Sequence, residues 1–175
     1  MKEYKHQLTE QTEGAQDKKR LLFDLETNGL LPNISKVHCA VLMPLGTGLT
    51  EQTQYPPPQL DLAVRQLRSA RCLVGHNIIG FDLPALWKVK GPWDTVPLVL
   101  DTLVVSRFLW PERPWGHSLE GWGKHLGYPK IDFHDYEEYS PEMLEYCTRD
   151  VLLNYRVLLE LEKEHGSPLE GFKIF

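Results

Sequence analysis

Residues 21–30 read LLFDLETNGL. Three apolar residues lead into Asp24, and Glu26 follows after one more. With Arg20 in front, RLLFDLE reads as a strand. On a strand, residues i and i+2 share a face. Asp24 and Glu26 therefore project together, with Leu25 on the opposite side. Burying two like charges without a partner is very costly. A cation held between them removes that cost, and hard divalent ions such as Mg²⁺ prefer oxygen ligands. A strand end open to water, with both acids simply hydrated, accounts for the pair as well.

Outward from this strand, VHCAVLMPL (37–45) reads as a second, mostly apolar strand. GTGLTEQTQY (46–55) gives a turn and a third strand, so 20–55 predicts an antiparallel meander. YPPPQ is a stiff connector. LDLAVRQLRSA (60–70) has helical periodicity, and RCLVGHN (71–77) is a short buried strand ending in a turn. FDLPALWKVKG (81–91) begins a helix that tolerates Pro84 in its first turn, and PLVLDTLVVSRFLW (97–110) runs from strand into helix near Asp101. HSLEGWGKHLG (117–127) is a compact helix stopped by Gly127. Residues 140–166 form a long amphipathic helix, with Ser140 as N-cap, Pro141 in its first position and Gly166 as its stop. The order βββαβαβαα predicts an α/β fold, a mixed sheet of three antiparallel and two parallel strands flanked by helices. Residues 1–19 read as a flexible polar tail, 20–166 as the domain and 167–175 as a C-terminal tail.

The bulk properties narrow the function classes. A chain of 175 residues suits one domain. With 42% hydrophobic and 25% charged residues the composition is that of a soluble globular protein. No apolar run approaches the ~20 residues of a membrane span, and the start lacks the apolar core of a signal peptide. Cys39, Cys72 and Cys147 are isolated, against a disulfide framework and in keeping with a reducing cytoplasm. The net charge of −5 argues against a broadly basic coat on nucleic acid. It does not argue against a nuclease, because bound cations offset site carboxylates locally. Zinc spacings, a Walker A loop and a dinucleotide fingerprint are all missing from the sequence.

Further acids bear on the first pair. Asp82 follows the strand-turn LVGHNIIGFD and opens a helix. Asp150 lies four residues after Tyr146, on the same helical face and one turn away. Asp150 interrupts an apolar stripe, either to face a cleft or to pair with an arginine. Asp101 opens a helix at LDTLV; there an N-cap is the stronger reading, and Asp101 stays outside the metal set.

FDLETNGL, HNIIGFD and YCTRD resemble the three motifs of the DEDD superfamily of 3′→5′ exonucleases. Motif I, D-x-E, falls on Asp24 and Glu26. Motif II, N-x₃-F/Y-D, falls on Asn77, Phe81 and Asp82. Motif III, Y-x₃-D, falls on Tyr146 and Asp150, and its tyrosine marks the DEDDy branch. KVHCAVL, DTLVVSRFLW and HSLEGWGKHLG further resemble the exonuclease domains of podovirus-type family A DNA polymerases, so that the resemblance covers residues 20–165. No polymerase domain follows, which leaves a free-standing enzyme and a fragment of a longer protein both open.

This resemblance implies a ribonuclease H-like fold and hydrolysis of DNA from single-stranded or frayed 3′ ends to nucleoside 5′-monophosphates. It implies two divalent cations, Mg²⁺ or Mn²⁺, held by Asp24, Glu26, Asp82 and Asp150, with Asp24 bridging them and Tyr146 orienting the attacking water. The alternatives are an exoribonuclease of the ribonuclease D type and a non-catalytic polymerase accessory module. Expected partners are single-stranded DNA, 3′ ends of duplex DNA and a DNA polymerase or other replication protein. Thr27 and the backbone around Asn28 and Gly29 are expected at the terminal sugar. Leu30 reads as a wedge against the last bases or as core. His76, Asn77 and Phe81 are expected at the substrate strand, with bracing of the loop as the alternative for Asn77, and His117 packs or meets phosphate. Trp122 reads as core. Lys88, Lys90, Arg107, Arg113 and Lys124 are either backbone contacts or solvated surface. Phe172, Ile174 and Phe175 dock a partner or belong to a frayed end.

Overall fold

A computed structural model describes residues 19–46 and 52–174. The expected tail at 1–19 lies outside the described residues except for Lys19, as do Phe175 and the turn at 47–51.

The central strand is β1 (Arg20–Thr27). On one side it pairs antiparallel with β2 (Val37–Leu45), which pairs antiparallel with β3 (Thr53–Tyr55). On the other side β1 runs parallel to β4 (Cys72–Gly75), and β4 parallel to β5 (Leu98–Asp101). The order β3-β2-β1-β4-β5 is the mixed sheet expected from the sequence. The helices are α1 (Leu60–Ser69), α2 (Asp82–Lys90), α3 (Thr102–Leu109), α4 (Leu119–His125) and α5 (Pro141–His165). Among the described residues no helix is long and apolar enough to cross a membrane.

The period of two along β1 sorts its side chains between two cores. Leu21, Phe23 and Leu25 pack with Ala63 and Leu67 of α1 and Leu83 and Leu86 of α2. Leu22 packs on the other face with Trp122 of α4 and Cys147, Val151 and Leu158 of α5. Asp24 and Glu26, in step with Leu22, therefore point toward α5. That helix begins as predicted, with Ser140 Oγ accepting the Met143 N–H at 3.1 Å and Pro141 in the first turn. It ends at Gly166, whose φ of 81° is left-handed.

Residues 167–174 belong to the packed unit and are not a separate tail. The Leu169 carbonyl accepts from Arg20 at 3.0 Å, and the Leu169 N–H donates to Glu162 at 3.1 Å. Phe172 forms an antiparallel bridge with Val99, exchanging backbone bonds of 2.8 and 2.9 Å, and so covers the outer edge of β5.

Candidate active site

The end of β1 supplies the first two acids. Its pairing with β2 shifts register between Glu26 and Thr27, a bulge that ends regular pairing beside the carboxylates.

Asp82 arrives by a tight turn out of β4. Gly75 sits where any side chain would strike Ile78, so the chain can fold back there only without a Cβ. Asn77 is left-handed, with φ 63°, and its carbonyl accepts the N–H groups of Gly80 and Phe81 at 3.1 and 2.9 Å. Asp101 locks the turn from outside. Its carboxylate accepts from Asn77 N at 2.9 Å and Ile79 N at 3.0 Å, and caps α3 through Leu103 N at 3.0 Å. The cap reading of Asp101 holds, and the same side chain positions the strand-turn that carries Asp82. Tyr146 and Asp150 come from α5, one turn apart.

These elements converge on a cleft of about 590 Å³. Asp24, Glu26, Asp82, Tyr146 and Asp150 line it, together with Thr27, Gly29, Leu30, His76, Asn77 and Phe81. Leu30 is 74% exposed at its edge, which removes the core reading.

Two expected substrate contacts stand elsewhere, among the described residues. Asn28 does not line the cleft, and its side chain braces the following loop, accepting from Ser35 N and Lys36 N at 3.0 and 2.9 Å and donating to Ser35 Oγ at 2.9 Å. His117 has both ring nitrogens engaged, with Ser106 Oγ at 2.9 Å and the Pro111 carbonyl at 3.0 Å. Those two bonds hold the ring against the loop after α3.

Trp122 is core, as expected. Arg113 is buried as well, bidentate to Glu164 at 2.8 and 2.7 Å and enclosed by Trp110, Trp115 and Trp122. Lys90 and Lys124 pair with Asp61 and Glu120, and Lys88 bonds the Pro32 carbonyl.

Four cleft residues escaped the sequence reading: Leu25, Leu119, Lys130 and Tyr136. The latter two come from 128–140, a segment without regular structure and hence without periodicity to read. Phe133 of the same segment stacks on Tyr146 at 5.4 Å, and Tyr136 meets it edge-on at 6.3 Å. Lys130 Nζ lies 2.5 Å from Asp150 Oδ2 and 4.7 Å from the Tyr146 ring centroid.

Crowded acids under low solvation hold protons that free carboxyls would lose. Burial, then the charges of Asp82, Asp150 and Glu26, push Asp24 well above the usual range. Burial, then Asp150, push Glu26 up to about 9. Burial raises Asp82 to about 7 against the pull of backbone N–H donors. Asp150 is raised by burial, in opposition to Lys130. Burial also raises the Tyr146 phenol, and it lowers His76 to about 4, so that imidazole is neutral.

The donor set fits a hard divalent cation. Asp82 Oδ1 and Asp150 Oδ1 are buried without a hydrogen-bond partner. Ligand oxygens of Asp24 and Glu26 lie within 4.8 Å of one another and of Cys147 Sγ. Orphaned oxygens facing further carboxylates are what a cation relieves.

No protein-family profile matches the chain. In sequence it is similar to the DNA-directed DNA polymerase of Escherichia phage T7, 28% identical over 200 aligned positions that cover 86% of this chain and 28% of that one. The polymerase of Enterobacteria phage T3 gives the same identity and coverage. The chain thus spans just over a quarter of these relatives. Among solved structures it resembles Brucella melitensis NrnC, with TM-score 0.61 and 25% identity over 86% of this chain and 75% of that one. NrnC has also been solved with bound Mg²⁺ and bound to pGG. The fold recurs in Escherichia coli RNase D, an exoribonuclease, with TM-score 0.61, 16% identity and coverage of 88% and 41%. It recurs in E. coli Exonuclease I in complex with a dT13 oligonucleotide, with TM-score 0.58, 16% identity and coverage of 85% and 41%.

Proposed function

We infer that this chain, which has the ribonuclease H-like fold and is related to the DEDD-type 3′→5′ exonucleases, hydrolyses DNA from its 3′ end with the help of divalent cations. The observation that carries this reading is the meeting of Asp24, Glu26, Asp82 and Asp150 in one cleft beside Tyr146, with two of their buried oxygens unpartnered.

Asp24, Glu26, Asp82 and Asp150 would hold the cations, two by resemblance to the family. When bound, such ions supply a water nucleophile at neutral pH and stabilise charge on the attacking and leaving oxygens of an in-line displacement. The chain does the rest. Tyr146 keeps its proton, because burial lifts its phenol above the ordinary value near 10. It therefore orients the attacking water by hydrogen bonding and is not a general base. Phe133 and Tyr136 wall its ring in. Thr27 donates to the Gly29 carbonyl at 2.8 Å, shaping the turn on which the terminal nucleotide would rest. Leu30, apolar and exposed beyond that turn, would stack on or split the last bases. Neutral His76 and Asn77 face the same space.

DNA is the preferred substrate in this reading because the curated sequence relatives are DNA polymerases. A second reading, action on RNA or on very short oligonucleotides, is favoured by the likeness to NrnC, which binds pGG. Two-cation chemistry acts on either backbone, and discrimination rests on contacts with the 2′-hydroxyl. The deciding experiment presents 5′-labelled DNA and RNA oligonucleotides, single- and double-stranded, with Mg²⁺, Mn²⁺ or EDTA. A ladder shortening from the 3′ end of DNA supports the first reading. A ladder confined to RNA, or cleavage confined to the shortest oligonucleotides, supports the second. No cleavage under any cation rejects both and leaves a polymerase accessory role.

A further inference from the structure

We propose that Lys130 is a positioning residue of this site: its ammonium holds Asp150 and Tyr146 as one unit and competes with divalent cations for Asp150. The proposal rests on the exonuclease reading for its kinetic half and on the cleft alone for its cation-binding half.

Among the described residues, Lys130 is the cation that lines the cleft. Its Nζ takes Asp150 Oδ2 at 2.5 Å, while Oδ1 of the same carboxylate has no partner. One oxygen is thereby fixed and the other left for a ligand. The side chains of the pair are only 25% and 5% exposed, so this is not a solvated surface pair of little consequence. The backbone beneath Lys130 is also held. Arg149 Nε donates to the Pro129 carbonyl at 2.9 Å, and the Tyr128 N–H donates to Gly123 at 2.9 Å. The guanidinium of Arg149 lies 3.3 Å from the Tyr128 ring centroid.

Two consequences oppose each other. An ammonium against a ligand carboxylate repels an arriving cation and blunts the pull of that carboxylate. The same contact fixes the direction of Asp150 and the ring of Tyr146, and small misplacements of such groups are costly in rate. A merely structural lysine would show neither opposition nor charge dependence.

The test compares wild type with Lys130→Met and Lys130→Arg in the full chain, with folding checked by denaturant midpoint. Mn²⁺ affinity is read from the electron paramagnetic resonance of free Mn²⁺, and kcat and KM from a 5′-labelled single-stranded DNA at saturating Mn²⁺. For Lys130→Met the expected result is Mn²⁺ binding tighter by about tenfold. Its kcat should fall about 10- to 100-fold with KM near the wild-type value, and Lys130→Arg should recover much of the rate. Weaker or unchanged Mn²⁺ binding in Lys130→Met overturns the proposal. So does an unchanged kcat with raised KM, which would make Lys130 a substrate contact. A wild-type chain that cleaves nothing rejects the exonuclease reading, and the Mn²⁺ titration then decides the competition on its own.

Discussion

Asp101 and Asp24 are the same residue type in opposite circumstances. Asp101 is buried, and backbone N–H groups from two segments surround its carboxylate. Removing it strands those donors. Asp101→Ala is expected to lower stability by about 2–4 kcal/mol, the loss of a helix cap plus unsatisfied buried N–H groups, read from a urea midpoint. Asp24 sits among like charges, and its burial and neighbours raise its pKa. Asp24→Asn is therefore expected to raise the melting temperature of the EDTA-treated chain while abolishing cleavage, because site carboxylates are held at a cost to folding. A lower melting temperature in EDTA would mean that Asp24 is held by contacts within the chain. The sequence could separate the two because helix-opening aspartates and i, i+2 strand pairs are local patterns. It could not separate His117 from a phosphate ligand, since Ser106 and Pro111 reach it only through the folded turn.

At the scale of elements, the motif-bearing pieces were legible and their connectors were not. Strand alternation placed Asp24 with Glu26, and the i, i+4 step placed Tyr146 with Asp150. Lys130 and Tyr136 reach the cleft from a segment with no period, where a lysine reads like any surface lysine. Arg113 was hidden for another reason, because its partner Glu164 lies 51 residues on. That pair ties the loop after α3 to the last turn of α5, within an aromatic enclosure. An ammonium cannot reproduce the planar fork. Arg113→Lys is expected to cost about 3 kcal/mol, as for a disrupted buried pair, while leaving the rate constant of the folded fraction unchanged. Thermal melts and kcat measured on the same preparation check this.

At the scale of the whole molecule, the acid cluster is expected to couple folding to pH and to cations. Glu26 at about 9 and Asp82 at about 7 lie above their unfolded values, so the folded chain binds more protons than the unfolded one from about pH 4 upward. The contribution is complete below the unfolded values and is lost as pH rises through 7 and 9. In EDTA the melting temperature should fall across that range, and added Mn²⁺ should raise it more at pH 9 than at pH 6. A Mn²⁺ increment that shrinks with rising pH would separate the cluster from cation binding. In the proposed function this cluster removes nucleotides from the 3′ end. The most direct test follows products from a 5′-labelled single-stranded DNA, using wild type, Asp24→Ala and wild type in EDTA. The predicted result is stepwise shortening from the 3′ end with release of nucleoside 5′-monophosphates, for wild type with Mg²⁺ or Mn²⁺ alone. Cleavage that persists in EDTA or in Asp24→Ala, or products carrying 3′-phosphates, would contradict it.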